Sequence, residues 1–307
     1  MHNEPILKVS SITKTFKDVT ALDGVSLSFG PGISGLIGPN GAGKTTLIKI
    51  ILGLLLPDSG TGLLYGYDIV KDSLKIRRKL GVLHEHPCFP KKMTAYDYLE
   101  RVKRFYDTKS DSKDLLALVD LSSAMHRKIG TLSAGMYQRL GIAQALIGSP
   151  ELVILDEPTA NIDVEGRDMI IRMIVDIYNE KGVSFIISSH ILSELEKVCH
   201  NVAFIKQGKV VEEGKVQEII AKYTTSSFKI ITSHPKEILA QIETHPLIAS
   251  SSISGASSIS IKIDSSKIND VKSAIEEIAS RMNVTIYAIT PSEDLQEAYK
   301  EIMNGAK

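Results

Sequence analysis

The sequence predicts an α/β domain built on a parallel or mixed sheet, followed by a small α+β domain. From Ile6 to about Tyr223, short runs of Val, Ile and Leu alternate with longer amphipathic segments, a pattern typical of strands covered by helices. Between about His86 and Pro150 the pattern becomes one helix after another. After Tyr223 the composition shifts to Ser and Ile, with a low-complexity patch at residues 250–258. The expected limits are 1–223 for the first domain, about 86–150 for its helical subdomain and 224–307 for the second domain.

Individual elements follow from hydrophobic periodicity. Candidate strands of the first domain lie at residues 7–11, 33–37, 152–155 and 185–188, and several are continuous apolar runs, as expected at the centre of a sheet. Thr94 is a candidate N-cap for a helix in the subdomain. The residues expected on one face of that helix are Tyr98, Leu99, Val102, Phe105 and Tyr106.

The second domain shows a regular alternation of strands and helices. Its expected elements are strand 228–231, helix 236–243, strand 258–263, helix 269–282, strand 284–289 and helix 293–303. The part of the chain from residue 224 onward has no glycine-rich loop and no pairing of acids with histidine. We therefore expect an accessory domain without an active site of its own.

Composition excludes several classes of function. Lys plus Arg and Asp plus Glu number 36 each, so no overall field favours nucleic acid, and we expect no nucleic-acid partner. The longest apolar stretch, residues 47–56, is interrupted by Lys49 and Gly53 and is shorter than the about 20 residues that span a bilayer. Without a signal peptide, the chain is expected in the cytoplasm. Cys88 and Cys199 lack metal-ligand spacing and fit a reducing compartment.

A glycine-rich run lies between the apolar run 33–37 and a helix expected at 46–55. It matches G-x-x-x-x-G-K-[S/T], the phosphate-binding loop. Glycines let backbone N–H groups turn toward phosphate oxygens, and the helix N-terminus adds partial positive charge. Lys44 is expected to reach the β- and γ-phosphates of ATP, and Thr45 to place its hydroxyl on Mg²⁺. The residues assigned to ATP binding are Gly38, Pro39, Asn40, Gly41, Ala42, Gly43, Lys44, Thr45 and Thr46.

Two adjacent carboxylates follow the apolar run 152–155, at the strand end where α/β sheets bind their ligands. Asp156 is expected to hold Mg²⁺ through water, and Glu157 to accept a proton from the attacking water. Because adjacent strand side chains face opposite ways, Glu157 can do so only if the strand ends at Pro158. The alternative is a pair of acids that merely solvates a strand end. In a chain with a phosphate-binding loop, the pair favours ATP hydrolysis.

Residues 132–139, Leu-Ser-Ala-Gly-Met-Tyr-Gln-Arg, resemble the signature motif of ATP-binding-cassette (ABC) ATPases. Ser133 is placed as a helix N-cap, and Ser133 and Gly135 offer hydroxyl and backbone donors to a phosphate. The resemblance implies that they meet the phosphate loop of a second copy, or of a related cassette, in a head-to-tail dimer that holds two ATP molecules. The usual motif is L-S-G-G-Q. Ala134 stands in place of its first glycine and Met136 in place of its glutamine.

Other landmarks of the family occur in the same order. Phe16 resembles the aromatic that stacks on adenine, with a core aromatic as the alternative. Glu85 stands where the family has a glutamine that senses Mg²⁺ and the attacking water, so the resemblance implies a role in catalysis and metal binding. Asp163 resembles the acid of the loop that signals across the dimer. His190, after the strand at 185–188, matches the switch histidine that contacts the γ-phosphate, with a structural histidine as the alternative.

The resemblance covers about residues 5–223 and implies a partner outside the chain. That partner is an integral membrane permease, which places this subunit peripherally on the cytoplasmic face of the membrane. Residues 287–299 resemble the ending of exporter-type subunits that carry an accessory domain. We hypothesise that apolar residues after Glu85, notably Phe89, contact the permease. His84 and His86 flank Glu85, and their H-x-H spacing allows a metal site as an alternative role.

Two other classes of protein are alternatives. A soluble cassette ATPase acting on ribosomes or nucleic acid usually has two cassettes or a long coiled coil. This chain has one cassette pattern and no heptad array, and its neutral charge gives no nucleic-acid surface. A P-loop kinase would leave Ser133, Gly135 and His190 unexplained. The transporter subunit is therefore the favoured prediction.

Overall fold

The first compact unit contains the predicted α/β domain. The computed structural model of the chain describes residues 4–106, 108, 110–224, 226–264, 267–292 and 294–305. Strands of this unit are β1 (Leu7–Phe16), β2 (Val19–Phe29), β3 (Ile33–Ile37), β4 (Ser59–Leu64), β5 (Tyr67–Asp68), β6 (Leu80–Leu83), β7 (Leu152–Asp156), β8 (Ser184–Ser189), β9 (Asn201–Lys206) and β10 (Lys209–Lys215). Its helices are α1 (Lys44–Ile51), α2 (Ser73–Lys79), α3 (Ala95–Lys103), α4 (Ser112–Leu118), α5 (Ala134–Ala145), α6 (Val164–Lys181) and α7 (Leu192–Val198).

A mixed sheet of order β10-β9-β3-β8-β7-β6 forms the centre of this unit. Strands β9, β3, β8, β7 and β6 are parallel, and β10 is antiparallel to β9. Strands β3, β7 and β8 are buried at every position, which explains their apolar composition. The predicted strands there are confirmed, and β7 and β8 extend slightly further. Because the strands are parallel, their carboxyl ends meet at one edge of the sheet.

An antiparallel sheet of order β2-β1-β4-β5 accompanies the central sheet. Its strand β1 continues to Phe16, beyond the predicted end at residue 11. Alternate residues of β1 such as Leu7 and Val9 are buried in a cluster with residues of β2 and α1. Strand β1 therefore carries Phe16 to the end of the β1–β2 hairpin, where Phe16 pairs with Val19.

The helix after the phosphate-binding loop is shorter than predicted. Helix α1 ends at Ile51 rather than residue 55. Gly53 adopts a left-handed φ of 63°, and the N–H of Leu54 donates to the carbonyl of Lys49 at 2.9 Å. A left-handed glycine after the last turn is a common way for a helix to end.

The helical subdomain confirms the predicted cap and corrects the predicted face. The Thr94 hydroxyl accepts a hydrogen bond from the Asp97 N–H at 3.0 Å, and α3 starts at the next residue. Leu99 of α3 is fully buried. However, α3 ends at Lys103, and Phe105 is 85% exposed beyond it. The prediction that Phe105 and Tyr106 share the buried face of the helix is therefore wrong.

The second compact unit begins at Val216, and the two units are Met1–Lys215 and Val216–Lys307. Its elements are α8 (Val216–Thr224), β11 (Ser227–Thr232), α9 (Pro235–Ile242), β12 (Ile248–Gly255), β13 (Ser258–Ile263), α10 (Ile268–Arg281), β14 (Ile286–Pro291) and α11 (Leu295–Gly305). The predicted limit of 223/224 differs because α8 packs against α11. Position 293, the predicted start of the last helix, lies outside the described residues.

An antiparallel sheet of order β12-β13-β11-β14 organises the second unit. The order β11-α9-β12-β13-α10-β14 is a ferredoxin-like arrangement. In β13, Ile259, Ile261 and Ile263 join the core with α9 and α10, and the intervening Ser260 hydroxyl donates to Glu297 of α11 at 3.0 Å. The patch at 250–258, expected as a connection between regular regions, instead contains most of strand β12.

Across the described parts of both units, none of the helices combines the length and the apolar character required to cross a bilayer.

Candidate active site

The phosphate-binding loop joins β3 to α1 and encloses the side chain of Lys44. Gly41 and Gly43 adopt φ values of 79° and 108°, which L side chains rarely adopt. A Cβ atom on Gly38 would lie 2.3 Å from the carbonyl oxygen of Ile205, so a larger residue cannot fit without a backbone shift. Lys44 is 6% exposed and its Nζ donates to the Gly38 carbonyl at 2.6 Å. The loop therefore holds one buried cation at the start of a helix.

The two predicted carboxylates lie at the carboxyl end of β7. Asp156 is the last residue of the strand, and Glu157 has a left-handed φ of 50°. The N–H of Glu157 donates to the carbonyl and the hydroxyl of Ser188 at 3.0 and 3.1 Å. The strand therefore ends one residue earlier than the predicted break at Pro158. Because Glu157 lies after the strand and has a left-handed backbone, its side chain does not have to point to the face opposite to that of Asp156.

The Glu157 carboxylate lies between a lysine and a histidine. Its Oε1 is 3.7 Å from Lys44 Nζ, and its Oε2 is 2.9 Å from Nδ1 of His190. Glu157 is 7% exposed, whereas the His190 side chain is 55% exposed. Among the described residues, no atom forms a hydrogen bond with the buried Oε1. Glu157 therefore keeps one buried acceptor oxygen without a hydrogen-bond donor among the described residues, and its other oxygen contacts a half-exposed histidine.

Thr45 and Asp156 supply adjacent oxygen atoms. The hydroxyl of Thr45 donates to Oδ2 of Asp156 at 3.3 Å, and the hydroxyl of Ser188 donates to Oδ1 of Asp156. Hydroxyl and carboxylate oxygens are the ligands that Mg²⁺ prefers. Thr45 and Asp156 are close enough to contact one ion or its water ligands, so this pair fits Mg²⁺.

One cleft of about 480 Å³ brings most of these groups together. Residues 39–46 of the loop line it together with Glu85, Asp156 and Glu157. Glu85 follows β6, which pairs with β7 in parallel, and its side chain is 45% exposed. Val19 from the end of the β1–β2 hairpin also lines this cleft. The loop, both carboxylates and Glu85 therefore form a common site.

Phe16 lies outside the lining of the cleft and is 45% exposed. The Nζ of Lys14 lies 5.6 Å from the centre of its ring, and Val19, which does line the cleft, is its partner in the hairpin. The alternative of a core aromatic is therefore wrong.

The signature segment belongs to a different cleft, of about 260 Å³. Ser133 caps α5 by accepting from the N–H of Met136 at 3.3 Å, as predicted. Asp163 caps α6 by accepting from the N–H of Gly166 at 2.8 Å. Ser133, Gly135 and Asp163 all line this second cleft. The structure does not bring these three predicted site residues into the cleft of the phosphate-binding loop.

Phe89 is not available to contact a permease. It is 6% exposed, and its ring centre lies 4.6 Å from that of Tyr137 and 5.2 Å from that of Tyr98. The Phe89 N–H also donates to the Tyr137 hydroxyl at 3.0 Å. The hypothesis that Phe89 belongs to a docking surface is wrong, because its ring packs inside the helical subdomain.

The alternative metal site at His84 and His86 gains no further ligands from the fold. Over the described ranges, no group of three or more His, Cys, Asp or Glu side chains is arranged to hold a metal ion.

Two polar contacts near the carboxylates are absent from the sequence predictions. Ser188 pairs with Asp156 in the β7–β8 register and contacts both acids. A polar residue at the end of a predicted buried strand is a signal that could have identified it. Thr159 donates to Glu194 at 2.7 Å, and both side chains are buried. No spacing rule indicates this second pair, because it joins the turn after β7 to the separate helix α7.

A phosphate-binding loop and a strand-end carboxylate on a parallel sheet define the class of P-loop nucleotide hydrolases. A family profile described as ABC transporter matches residues 22–160. One relative is the uncharacterized ABC transporter ATP-binding protein YhcH of Bacillus subtilis strain 168. It is 30% identical to this chain, and the match covers 98% of this chain and 97% of YhcH. This chain therefore belongs to the ATP-binding proteins of ABC transporters.

Further relatives support the same membership. The bacitracin transport ATP-binding protein BcrA of Bacillus licheniformis is 37% identical over 68% of this chain and 69% of its own length. A solved dimeric structure of the ATP-binding cassette MJ0796, in a post-hydrolysis state with ADP and Pi, is 25% identical with a TM-score of 0.61. It covers 68% of this chain and 98% of that cassette. The chain is thus an ATP-binding ABC transporter subunit and an ATPase, and these relatives give no support to a function on ribosomes or nucleic acid.

Proposed function

We propose that this subunit hydrolyses Mg²⁺-ATP between two copies of the chain, and that this cycle drives a separate integral membrane permease in export. ATP closes the dimer and hydrolysis reopens it, so the permease receives an alternating motion. The subunit then works at the cytoplasmic face of the membrane, beside its permease. The unit that ends at Lys215 acts as the cassette, and the unit that begins at Val216 acts as an accessory domain.

The placement of Glu157 carries this proposal. A buried carboxylate lies beside the loop cation Lys44 and the exposed imidazole of His190. A general base must reach the proton that it removes and must keep a free acceptor oxygen. Glu157 meets the second requirement with its buried Oε1 and the first by lining the cleft of the phosphate-binding loop.

Each neighbouring residue has a role that follows from its chemistry. Lys44 and the backbone N–H groups of residues 39–46 bind the β- and γ-phosphates of ATP. Thr45 and Asp156 would hold Mg²⁺, and Glu85, which lines the same cleft, would be a further oxygen ligand. When bound, Mg²⁺ neutralises negative charge on the phosphates.

The remaining residues act on the attacking water, the γ-phosphate and the base. Glu157 accepts a proton from the attacking water. His190 contacts the γ-phosphate and stabilises the Glu157 carboxylate through their hydrogen bond. Phe16 stacks on the adenine ring.

A second copy is proposed because the predicted site residues occupy two clefts. Ser133, Gly135 and Asp163 line one cleft, and Lys44 and Glu157 line the other. In a head-to-tail dimer, the signature cleft of each copy can face the phosphate loop of the other. The cassette MJ0796 was solved as a dimer in a post-hydrolysis state, which supports this arrangement.

Export through a permease is supported by the relatives. BcrA is named for bacitracin transport, and the match with YhcH runs through both units of the chain. The transported molecule would be recognised by the permease. Membrane co-purification with a polytopic protein encoded beside this chain tests the partnership.

The direct test of the mechanism is Glu157→Gln. The variant retains the shape of the side chain but loses the proton acceptor, so we expect kcat for ATP to fall by about a hundredfold or more. ATP affinity should remain close to that of the wild type, and an ATP-loaded dimer should accumulate. Glu180→Gln, at an exposed glutamate of α6, is the matched control and should retain activity. Wild-type turnover in Glu157→Gln would exclude Glu157 as the base.

A further inference from the structure

A buried glutamate lies behind the proposed active site and takes no part in the chemistry above. Glu194 belongs to α7, which starts two residues after His190. It is 7% exposed, and its Oε2 accepts a hydrogen bond from the Thr159 hydroxyl at 2.7 Å. Thr159 is itself only 1% exposed. A buried carboxylate is costly unless partners stabilise it, so Glu194 calls for an explanation other than packing.

The Thr159 hydroxyl is part of the turn that positions Glu157. The left-handed backbone of Glu157 is strained for a residue with a side chain. Such a conformation persists only when several contacts hold it. Two contacts are the bonds from the Glu157 N–H to Ser188 and from the Ala160 N–H to the Glu157 carbonyl, the latter at 3.2 Å. The Thr159–Glu194 bond is the third, and it ties the turn to helix α7.

The same bond joins the segments that carry Glu157 and His190. One connection between them is the 2.9 Å contact from His190 Nδ1 to Glu157 Oε2 at the surface of the site. The other is the buried bond from Thr159, two residues after Glu157, to Glu194, four residues after His190. The two connections join the turn after β7 to the turn after β8 and to helix α7. The relative position of the Glu157 and His190 segments therefore does not depend on the exposed His190 imidazole alone.

Opposing charges surround Glu194: burial and the Glu157 carboxylate raise its pKa, whereas the Thr159 hydrogen bond, Arg167 of α6 and His190 act in the opposite direction. The Nε of Arg167 also donates to the carbonyl of Ile162 at 2.7 Å. Ile162 lies in the segment between Thr159 and Asp163. Glu194 and Arg167 thus both form hydrogen bonds with the segment that connects β7 to α6.

We propose that Glu194 is a positioning residue for ATP hydrolysis, which holds the Thr159 turn so that the Glu157 carboxylate stays next to His190. This inference rests on the proposed role of Glu157 as the base. Glu194 does not contact the cleft, so its effect is on the rate of the chemical step and not on the binding of nucleotide.

The test compares Thr159→Val, Thr159→Ser, Glu194→Ala and the double variant Thr159→Val/Glu194→Ala in the full chain. A small displacement of a reacting group lowers rates strongly, so Thr159→Val and Glu194→Ala should each reduce kcat by about ten- to a hundredfold. KM for ATP and affinity for ADP should change by less than about twofold, since the phosphate-binding loop is untouched. Thr159→Ser keeps the hydroxyl and should restore most of kcat. The double variant should be no slower than the slower single variant, because both changes break one bond.

Several results would overturn the inference. The first is a kcat of Thr159→Val equal to that of the wild type. The second is a double variant whose loss of kcat equals the product of the two single losses. The third is a single variant whose KM for ATP rises by the same factor as its kcat falls. Should Glu194→Ala fail to fold, Thr159→Val and Thr159→Ser still decide the matter, with Glu194→Gln as the conservative change at the other partner. Glu157→Gln is measured in parallel. Turnover retained in Glu157→Gln contradicts the proposed function, whereas an inactive Glu157→Gln beside a fully active Thr159→Val contradicts only this inference.

Discussion

Glu157 combines three properties that individual residues seldom share: burial, a strained backbone and a free acceptor oxygen. Lys44 at 3.7 Å offsets part of the cost of burying its charge. The Ser188 hydroxyl orders both acids, since it accepts from the Glu157 N–H and donates to Asp156. At the scale of single residues, the site therefore depends on a few buried polar contacts around one carboxylate.

Lys44→Ala removes the cation from the loop. The ammonium group is the one charged side chain of the loop, so the variant should lose most of its affinity for ATP. It also leaves Glu157 without its neighbouring cation, which is unfavourable for a buried carboxylate. Isothermal titration with ATP measures the loss, and Lys49→Ala on the exposed side of α1 is the control. Undiminished ATP affinity in Lys44→Ala would contradict the assigned role.

The titration of Glu194 predicts how stability depends on pH. Burial raises the pKa of Glu194 above the ordinary value of 4.5. The folded chain then binds this proton more tightly than the unfolded chain, so this group makes the free energy of unfolding fall as pH rises from about 4.5 through the raised pKa. Glu194→Gln lacks this titration. The stability of Glu194→Gln relative to the wild type should therefore increase with pH across that window, as measured by urea unfolding at several pH values. A pH-independent difference would contradict the assignment.

At the scale of elements, the parallel sheet explains why distant segments meet. Strands β3, β7 and β8 are adjacent and parallel, so the phosphate-binding loop, the two acids and His190 all follow the same sheet edge. The backbone of β9 adds a steric constraint, because Ile205 lies against Gly38. The shape of the loop thus depends on the sheet as well as on its own glycines.

Gly38→Ala tests this steric constraint. The new Cβ would lie 2.3 Å from the Ile205 carbonyl oxygen, and because that atom belongs to the backbone of a buried strand it has little freedom to move. Overpacking of this kind costs about 1–3 kcal/mol in the free energy of unfolding, and the displaced loop should also bind ATP less tightly. Gly30→Ala is the matched control, since its Cβ would meet nothing within 4 Å in the described structure. Equal stability of the two variants would show that the loop tolerates the extra atom.

Much of this arrangement was predictable from sequence because the buried strands are continuous apolar runs. The phosphate-binding loop, the strand-end acids and the Ser133 cap also have local signatures. Strand β12 lacks such a signature, since it is an exposed edge strand with only Ile248 buried. The burial of Phe89 depends on Tyr98 and Tyr137, which other segments supply. Contacts between side chains of separate segments, such as Thr159 with Glu194, have no periodicity from which to infer them.

At the scale of the whole molecule, the proposed catalytic residues and the proposed signature residues line different clefts. In the proposed head-to-tail dimer, each chain contributes half of two sites, and ATP acts as the bridge between copies. Because ATP would contact both halves, the proposal links nucleotide binding to dimer closure. Hydrolysis would remove the bridge and so provide the motion that the proposed permease uses.

The most direct test of this account is a mixing experiment on the Glu157→Gln background. One chain also carries Lys44→Ala, and the other also carries Ser133→Arg. In a head-to-tail dimer, mixing places both lesions in one site and leaves the other site intact. We expect each variant alone to remain monomeric with ATP, and the mixture to form a dimer that retains one ATP, as measured by light scattering and nucleotide content. A mixture that stays monomeric, or a Ser133→Arg chain that dimerises by itself, would contradict the shared site.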